Sequence, residues 1–108
     1  MIYELRIYDA VPGKLPALNT RFRDHTTALF AKHGIDTVGF WTTYVGPSNY
    51  RLYYILAWDD LGQRQLRWDA FISDPEWIAA KAESEVDGTL VERVQSIMMK
   101  ATDYSPMQ

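Results

Sequence analysis

The sequence contains no cysteine among its 108 residues. This absence excludes disulfide bonds, thiolate catalysis and zinc sites built from sulfur. A reducing compartment is compatible with it, and we predict a cytoplasmic protein. Histidine is scarce too, because the only two, His25 and His33, stand eight positions apart, too far for a metal-binding pair on one helical face. We therefore predict no intrinsic metal site.

Long apolar runs and an excess of basic charge are also lacking. The longest apolar run, Leu52 to Trp58, is far too short to span a membrane, and no signal-peptide pattern precedes the first strand-like segment. With a net charge of -3, the scattered Lys and Arg leave no positive field for a phosphate backbone. No Gly-rich phosphate loop or nucleotide fingerprint occurs, so no cofactor is predicted. We expect neither a membrane nor a nucleic acid as partner.

What the sequence does contain is a large aromatic fraction, 14% of the residues. A chain of this length, 47% hydrophobic and 23% charged, is typical of one globular domain, which we assign to residues 1–108. The aromatic residues are concentrated in a predicted hairpin, whose arms at 37–45 and 51–58 flank a Gly-Pro-Ser-Asn turn. Such a concentration favours either a lined pocket or a surface that meets another chain.

The remaining segments predict the order β-α-β-β-α-α-β. Residues 2–9 alternate as a strand, and a helical period follows from residue 14 until Lys32-His33-Gly34 ends it. After the hairpin, Asp59-Asp60 and Asp74-Pro75 each provide a helix start, which predicts two short helices bent at Asp74. Residues 90–102 return to strand composition. The apolar stripe of the first helix is predicted at Leu15, Leu18, Phe22, His25 and Leu29.

This order predicts an α+β fold of the ferredoxin-like split βαβ type, a four-stranded antiparallel sheet with its helices on one face. Alternation divides each strand into two faces. We expect the helices to cover Tyr3, Leu5 and Ile7 of the first strand and Tyr53, Ile55 and Ala57 of the third. The opposite face of the third strand, Tyr54, Leu56 and Trp58, would then meet no helix. A second copy of the chain is the predicted cover, giving a homodimer.

The sequence resembles the NIPSNAP family over nearly its whole length. The resemblance is carried by Tyr3-Glu4-Leu5-Arg6-Ile7-Tyr8, Pro12-Gly13-Lys14, His33-Gly34, Gly39-Phe40-Trp41-Thr42-Thr43, Gly46-Pro47, Asp74-Pro75-Glu76-Trp77 and Tyr104-Ser105-Pro106-Met107. It implies a ferredoxin-like unit of the dimeric α/β-barrel group, in which two sheets form a barrel between protomers. Where related sequences often have a His on the third strand, this chain has Tyr54, which argues against a general base there.

Seven residues form the predicted candidate pocket. Glu4, Arg6 and Tyr8 share one strand face and are expected inside the barrel, either orienting a polar ligand or forming an internal ion pair or dimer contact. Tyr54 and Trp58 are expected beside them, as pocket wall or as interface. Trp41 joins them only if its side of strand 37–45 lines the barrel, which the sequence does not decide. His25 is the seventh, either a structural residue of its helix or a general base.

Two functions are compatible with these residues. The first is a homodimeric NIPSNAP-like protein that binds a small molecule or a partner, in the shared barrel or between sheet and helices. The alternative is a small cofactor-independent enzyme, monooxygenase-like or isomerase-like, acting on an aromatic or carbonyl-bearing metabolite. In that enzyme Arg6 with Tyr54 or Tyr8 would polarise the substrate, and His25 would be the base.

Overall fold

A computed structural model describes all residues, 1–108, as one α+β unit. The strands are β1 (Ile2–Ala10), β2 (Asp36–Thr42), β3 (Arg51–Trp58) and β4 (Val91–Met99). The helices are α1 (Leu15–Arg21) and α2 (Thr27–Lys32), joined by a π turn at Phe22–Thr26, then α3 (Leu61–Ile72) and α4 (Pro75–Ser84). The predicted order of elements is confirmed, and the first hairpin arm is shorter than predicted.

The four strands form one antiparallel sheet in the order β2-β3-β1-β4. The two central strands, β1 and β3, pair so that Arg6 lies opposite Tyr54 and Tyr8 lies opposite Leu52. On the other side of β1, strand β4 places Ser96 opposite Arg6. With the buried residues concentrated on one sheet face, this is the predicted ferredoxin-like topology, which is confirmed.

The starts of α3 and α4 follow the predicted capping residues. Asp60 accepts a hydrogen bond from the backbone N–H of Gln63 at 2.7 Å, and Asp74 accepts one from the N–H of Glu76 at 2.8 Å. Pro75 occupies the first turn of α4, where its missing N–H needs no partner. The bend between the two helices at Asp74 is therefore a property of the local sequence.

Asp74 also ties α4 to the end of the first helix. It accepts hydrogen bonds from Lys32 Nζ at 2.8 Å and from His33 Nε2 at 2.7 Å. These bonds and that from the Glu76 N–H hold the pKa of the Asp74 carboxyl well below its usual range. His33, which the sequence marks only as part of the end of the first helix, thus connects two helices.

The predicted assignment of strand faces is wrong. The helices cover the charged face of β1, where Glu4, Arg6 and Tyr8 are buried, and not the face of Tyr3, Leu5 and Ile7. On β3 the covered residues are Leu52, Tyr54, Leu56 and Trp58, all buried. The prediction failed because it assigned the more apolar face of β1 to the core. The buried charges of β1 have hydrogen-bonding partners on α3 and β4, which offset the free-energy cost of removing those charges from water.

The opposite sheet face carries no helix and is mostly apolar. We call it the open face. Trp41 of β2 lies on it, half exposed, with its indole ring across Gly39, where a Cβ atom would come within 2.7 Å of the ring. Trp41 therefore belongs to the open face, and Phe40 belongs to the covered one. The other apolar residues of the open face are Tyr3, Leu5, Ile7, Tyr53, Ile55, Ala57, Ile97 and Met99.

None of the helices combines the length and apolar character needed to cross a lipid bilayer.

Candidate functional site

A cleft of about 670 Å³ lies between the covered sheet face and the helices. We call it the main cleft. Strand β1 contributes its floor, the π turn and α2 one wall, and α3 and α4 the other. Nine of its thirteen lining residues are hydrophobic, a composition typical of small-molecule sites. The lining residues are Arg6, Tyr8, Phe22, Thr26, Phe30, Trp68, Phe71, Ile72, Trp77, Ile78, Lys81, Ala82 and Glu85.

Glu4 is fully buried behind the floor of the main cleft, where it accepts hydrogen bonds from several polar side chains. Its carboxylate accepts hydrogen bonds from Arg6 Nη1 at 2.9 Å, Arg64 Nε at 3.0 Å and Nη2 at 3.1 Å, Ser96 Oγ at 2.6 Å and Trp58 Nε1 at 3.0 Å. Burial by itself would raise the pKa of Glu4, but hydrogen bonds from Arg64, Ser96 and Arg6 outweigh it and lower the pKa to about 2. Glu4 is therefore an anion at neutral pH and orients Arg6.

The guanidinium of Arg6 is the polar centre of the main cleft. Besides Glu4, it donates from Nε to the Tyr54 hydroxyl at 2.8 Å and from Nη2 to the Tyr8 hydroxyl at 3.3 Å. Its flat face stacks on the ring of Trp68, 4.3 Å from the centroid. Burial lowers the pKa of Arg6, but the phenols and Glu4 have the larger combined effect and raise it above its usual value. Arg6 thus stays charged at every physiological pH.

The two phenols beside Arg6 form a pair, with their oxygens 2.8 Å apart. Burial, together with the neighbouring Tyr8, raises the pKa of Tyr54, although Arg6 opposes the shift. Tyr54 is therefore a neutral hydroxyl. Tyr8 lines the main cleft and Tyr54 lies behind it, so Tyr8 is the phenol that a bound molecule would contact.

Aromatic rings make up five of the eleven wall residues and pack against one another edge-on or tilted. Phe30 and Phe71 have centroids 5.0 Å apart, and Phe71 and Trp77 have centroids 4.8 Å apart. Such pairs stabilise each other beyond their buried area and hold the ring orientations. The walls of the main cleft are therefore formed by mutually supported rings.

The sequence-predicted site residues divide into two groups. Glu4, Arg6, Tyr8, Tyr54 and Trp58 lie together on the covered face, linked by the hydrogen bonds described above. His25 is exposed on the π turn, outside the main cleft, and Trp41 lies on the open face. The five that cluster face the helices and not the inside of a barrel.

The π turn explains the position of His25. Regular α-helical spacing places His25 within the stripe of Leu18, Phe22 and Leu29. Because a π turn takes more residues per turn than an α turn, it advances the chain by one residue. Thr26 is consequently buried in place of His25.

Sequence reasoning missed three contributors from the helices, Arg64, Trp68 and Trp77. In the sequence the two tryptophans are typical of apolar helix stripes, and Arg64 interrupts one of these stripes. The position of Arg64 one helical turn before Trp68 carries a signal, because residues four apart lie on the same helix face. Arg64 Cζ lies 5.7 Å from the Trp68 ring centroid.

No three His, Cys, Asp or Glu side chains lie close enough together to hold a metal ion.

Comparison with known proteins places the chain in a family. The sequence profile of the NIPSNAP family matches residues 3–106. A NIPSNAP-family protein of unknown function from Agrobacterium tumefaciens is 28% identical, with a TM-score of 0.87 over 100% of this chain and 94% of its own. An uncharacterised NIPSNAP domain protein from Burkholderia xenovorans is 24% identical, with a TM-score of 0.83 over 98% and 99% of the two chains.

More distant structures share the fold only. A candidate antibiotic biosynthesis monooxygenase from Nitrosomonas europaea has 9% identity and a TM-score of 0.65, over 94% of this chain and 98% of its own. Among curated proteins, none matches the sequence.

Proposed function

The chain belongs to the NIPSNAP family, and we propose that it binds a small molecule with an aromatic or other apolar body in the main cleft. The observation that carries this proposal is the charged guanidinium of Arg6 at the base of an aromatic-walled cleft of about 670 Å³. Apolar walls around a few fixed polar groups are the usual composition of ligand sites. The walls would contact the apolar body of the ligand, and Arg6 with Tyr8 would donate hydrogen bonds to a polar group on that body.

Two N–H donors of Arg6 form no hydrogen bond within the protein. A guanidinium carries five N–H donors, and three of them are used, by Glu4, Tyr8 and Tyr54. The other two, one on each terminal nitrogen, have no acceptor within the protein. Because the partners of the first three donors fix the plane of the group, a ligand oxygen would meet donors that are already oriented.

We extend the proposal to a homodimer formed through the open face. Four strands about 4.8 Å apart and seven to nine residues long present roughly 500 Å² in plan. At about 25 cal/mol per Å² of apolar surface, covering this face is worth on the order of 10 kcal/mol. A second copy of the same face is the partner that C2 symmetry supplies. The main cleft lies on the other side of the sheet, so both protomers would keep their clefts accessible.

The alternative function is a small cofactor-independent enzyme, monooxygenase-like or isomerase-like. The hydrogen-bonded group of Arg6, Tyr8 and Tyr54 favours it, because these donors could polarise a carbonyl oxygen. Such an enzyme also needs a base, and His25 is exposed outside the main cleft. Binding is therefore the better supported function. A cytoplasmic location stays a prediction from the sequence.

Ligand binding is tested with a panel of naphthalene derivatives, measured by thermal shift and by quenching of tryptophan fluorescence. Ala82→Phe fills the main cleft from α4, whereas Ala79→Phe places the same ring on an exposed part of α4 outside it. We expect wild type and Ala79→Phe to bind and Ala82→Phe to lose binding. If no compound binds, or if Ala82→Phe binds as wild type does, the proposed function is wrong.

The dimer is tested by sedimentation equilibrium at micromolar concentration. We expect twice the chain mass of 12.5 kDa for wild type. Ile97→Lys puts a charge on the open face, and Val86→Lys puts one on a turn outside the sheet. Dissociation of the first variant and not of the second supports the interface. A monomeric wild type contradicts it.

A further inference from the structure

Arg21 is a buried cation without a counter-ion. It lies in the last turn of α1, directly before the π turn, and is 4% exposed. No carboxylate lies within ion-pair distance, and its one hydrogen bond runs from Nη1 to Ser84 Oγ at 3.3 Å. Its Nε is buried with no partner at all. A buried arginine normally donates hydrogen bonds from most of its N–H groups and pairs with a negatively charged group.

The nearest groups do not neutralise Arg21. Its guanidinium stacks on the ring of Trp77, with Cζ 5.3 Å from the centroid. Glu85 attracts it but pairs with Lys81 Nζ at 3.4 Å. Burial consequently lowers the pKa of Arg21 below its usual value. The guanidinium remains charged at neutral pH because its unperturbed pKa is so high.

A second cavity beside the main cleft is lined by Arg21, and we call it the side branch. This side branch has a volume of about 270 Å³ and shares Tyr8, Trp77, Lys81 and Glu85 with the main cleft. Arg21 lines the side branch and not the main cleft. The ring of Tyr8 therefore borders both spaces, with Arg6 in one and Arg21 in the other.

The surroundings are positively charged although the protein is acidic. Among the residues that line the two spaces, the cations Arg6, Arg21, Lys81 and Arg93 outnumber the carboxylates Glu85 and Glu92. Two positive charges are left in excess, whereas the whole chain has a net charge of -3. A cleft with this local field attracts anions.

We infer that Arg21 binds the carboxylate of the ligand, so that the ligand is an aromatic or apolar acid with its body in the main cleft and its acid group in the side branch. The inference rests on the proposed function of the main cleft. Arginine presents paired N–H donors that match the two oxygens of a carboxylate. The apolar neighbours Trp77 and Val91 favour a singly charged group over a strongly hydrated dianion.

Two probes of the same shape test the inference, 1-naphthoate and its neutral amide, 1-naphthamide. Binding is measured by tryptophan quenching in wild type, in Arg21→Met and in Arg23→Met, which removes an exposed cation of the same helical segment. We expect wild type and Arg23→Met to bind the acid about tenfold more tightly than the amide, from a charge-assisted hydrogen bond. Arg21→Met should bind both probes about equally.

The outcomes separate the inference from the proposal it rests on. If wild type binds amide and acid equally, the carboxylate role of Arg21 is overturned while the main cleft keeps its function. If Arg21→Met retains the preference for the acid, Arg6 is the anion-binding group and the inference is again overturned. If neither probe binds, the proposed function fails as well. The comparison of the two probes on wild type does not depend on whether any variant folds. Arg21→Lys, which keeps the charge but loses the paired donors, is the second variant.

Discussion

Replacing Glu4 by Gln gives the sharpest test of how the polar centre is held together. The substitution keeps the shape of the side chain and removes the charge that compensates Arg6 and Arg64. The pKa of Glu4 is lowered from 4.5 to about 2, and each unit is worth about 1.4 kcal/mol. The ionised carboxylate therefore stabilises the folded state by about 3 kcal/mol at pH 7, and the variant should lose that amount.

The sign of the pH dependence follows from the direction of the shift. Because the folded pKa lies below the unfolded one, the stabilisation is fully present above about pH 5 and is lost as the pH falls towards 2. At pH 3 about half of it should remain. The difference in free energy of unfolding between wild type and Glu4→Gln should therefore shrink on acidification.

Urea denaturation between pH 7 and pH 3 measures this difference. Glu83→Gln is the matched control, because Glu83 is exposed and forms no ion pair. The double variant Glu4→Gln with Arg64→Gln removes one of the uncompensated cations and should recover part of the loss. The reasoning is refuted if Glu4→Gln is as stable as Glu83→Gln at pH 7, or if the difference from wild type does not change with pH.

Three further outcomes are expected. Asp74→Asn should lower the melting temperature at pH 7. Because the pKa of Asp74 is depressed in the folded state, this effect should disappear only in acid, where the wild-type carboxylate becomes protonated. An equal effect at all pH values would contradict the prediction. Leu56→Ala should cost about 2–5 kcal/mol in urea denaturation, because Leu56 is fully buried, whereas Leu66→Ala, at an exposed site, should cost far less. Gly39→Ala should displace the indole of Trp41, which a Cβ atom would approach to 2.7 Å, and an unchanged near-ultraviolet circular dichroism spectrum would argue against that contact.

The order of helices and strands was predictable from local signals, because capping residues such as Asp60 and Asp74 determine helix starts only a few positions away. Which face of the sheet the helices cover was not predictable in this way. The face of Glu4 and Arg6 looks unsuitable for burial until Arg64, sixty positions along the chain, supplies the missing hydrogen bonds. A pattern confined to one strand contains no information about such a partner.

The candidate site was predictable only where it depends on the local strand pattern. Strand alternation and pairing bring Arg6, Tyr8 and Tyr54 together, and those residues do cluster. Trp68 and Trp77 complete the main cleft through the packing of α3 and α4 on the sheet, which a single helical stripe does not predict. The burial of Thr26 in place of His25 depends on the π turn, which no local propensity in residues 22–26 predicts.

The π turn also suggests how this scaffold can vary. It corresponds to one residue added to an otherwise regular helix. Deleting Asp24 would remove the residue that the π turn absorbs, and the buried residues Leu18, Phe22, Thr26 and Phe30 would then stand four, three and four positions apart, as in a regular α-helix. A change in helix length by a single residue would therefore leave Arg21 in place and the charge presented to a ligand unchanged.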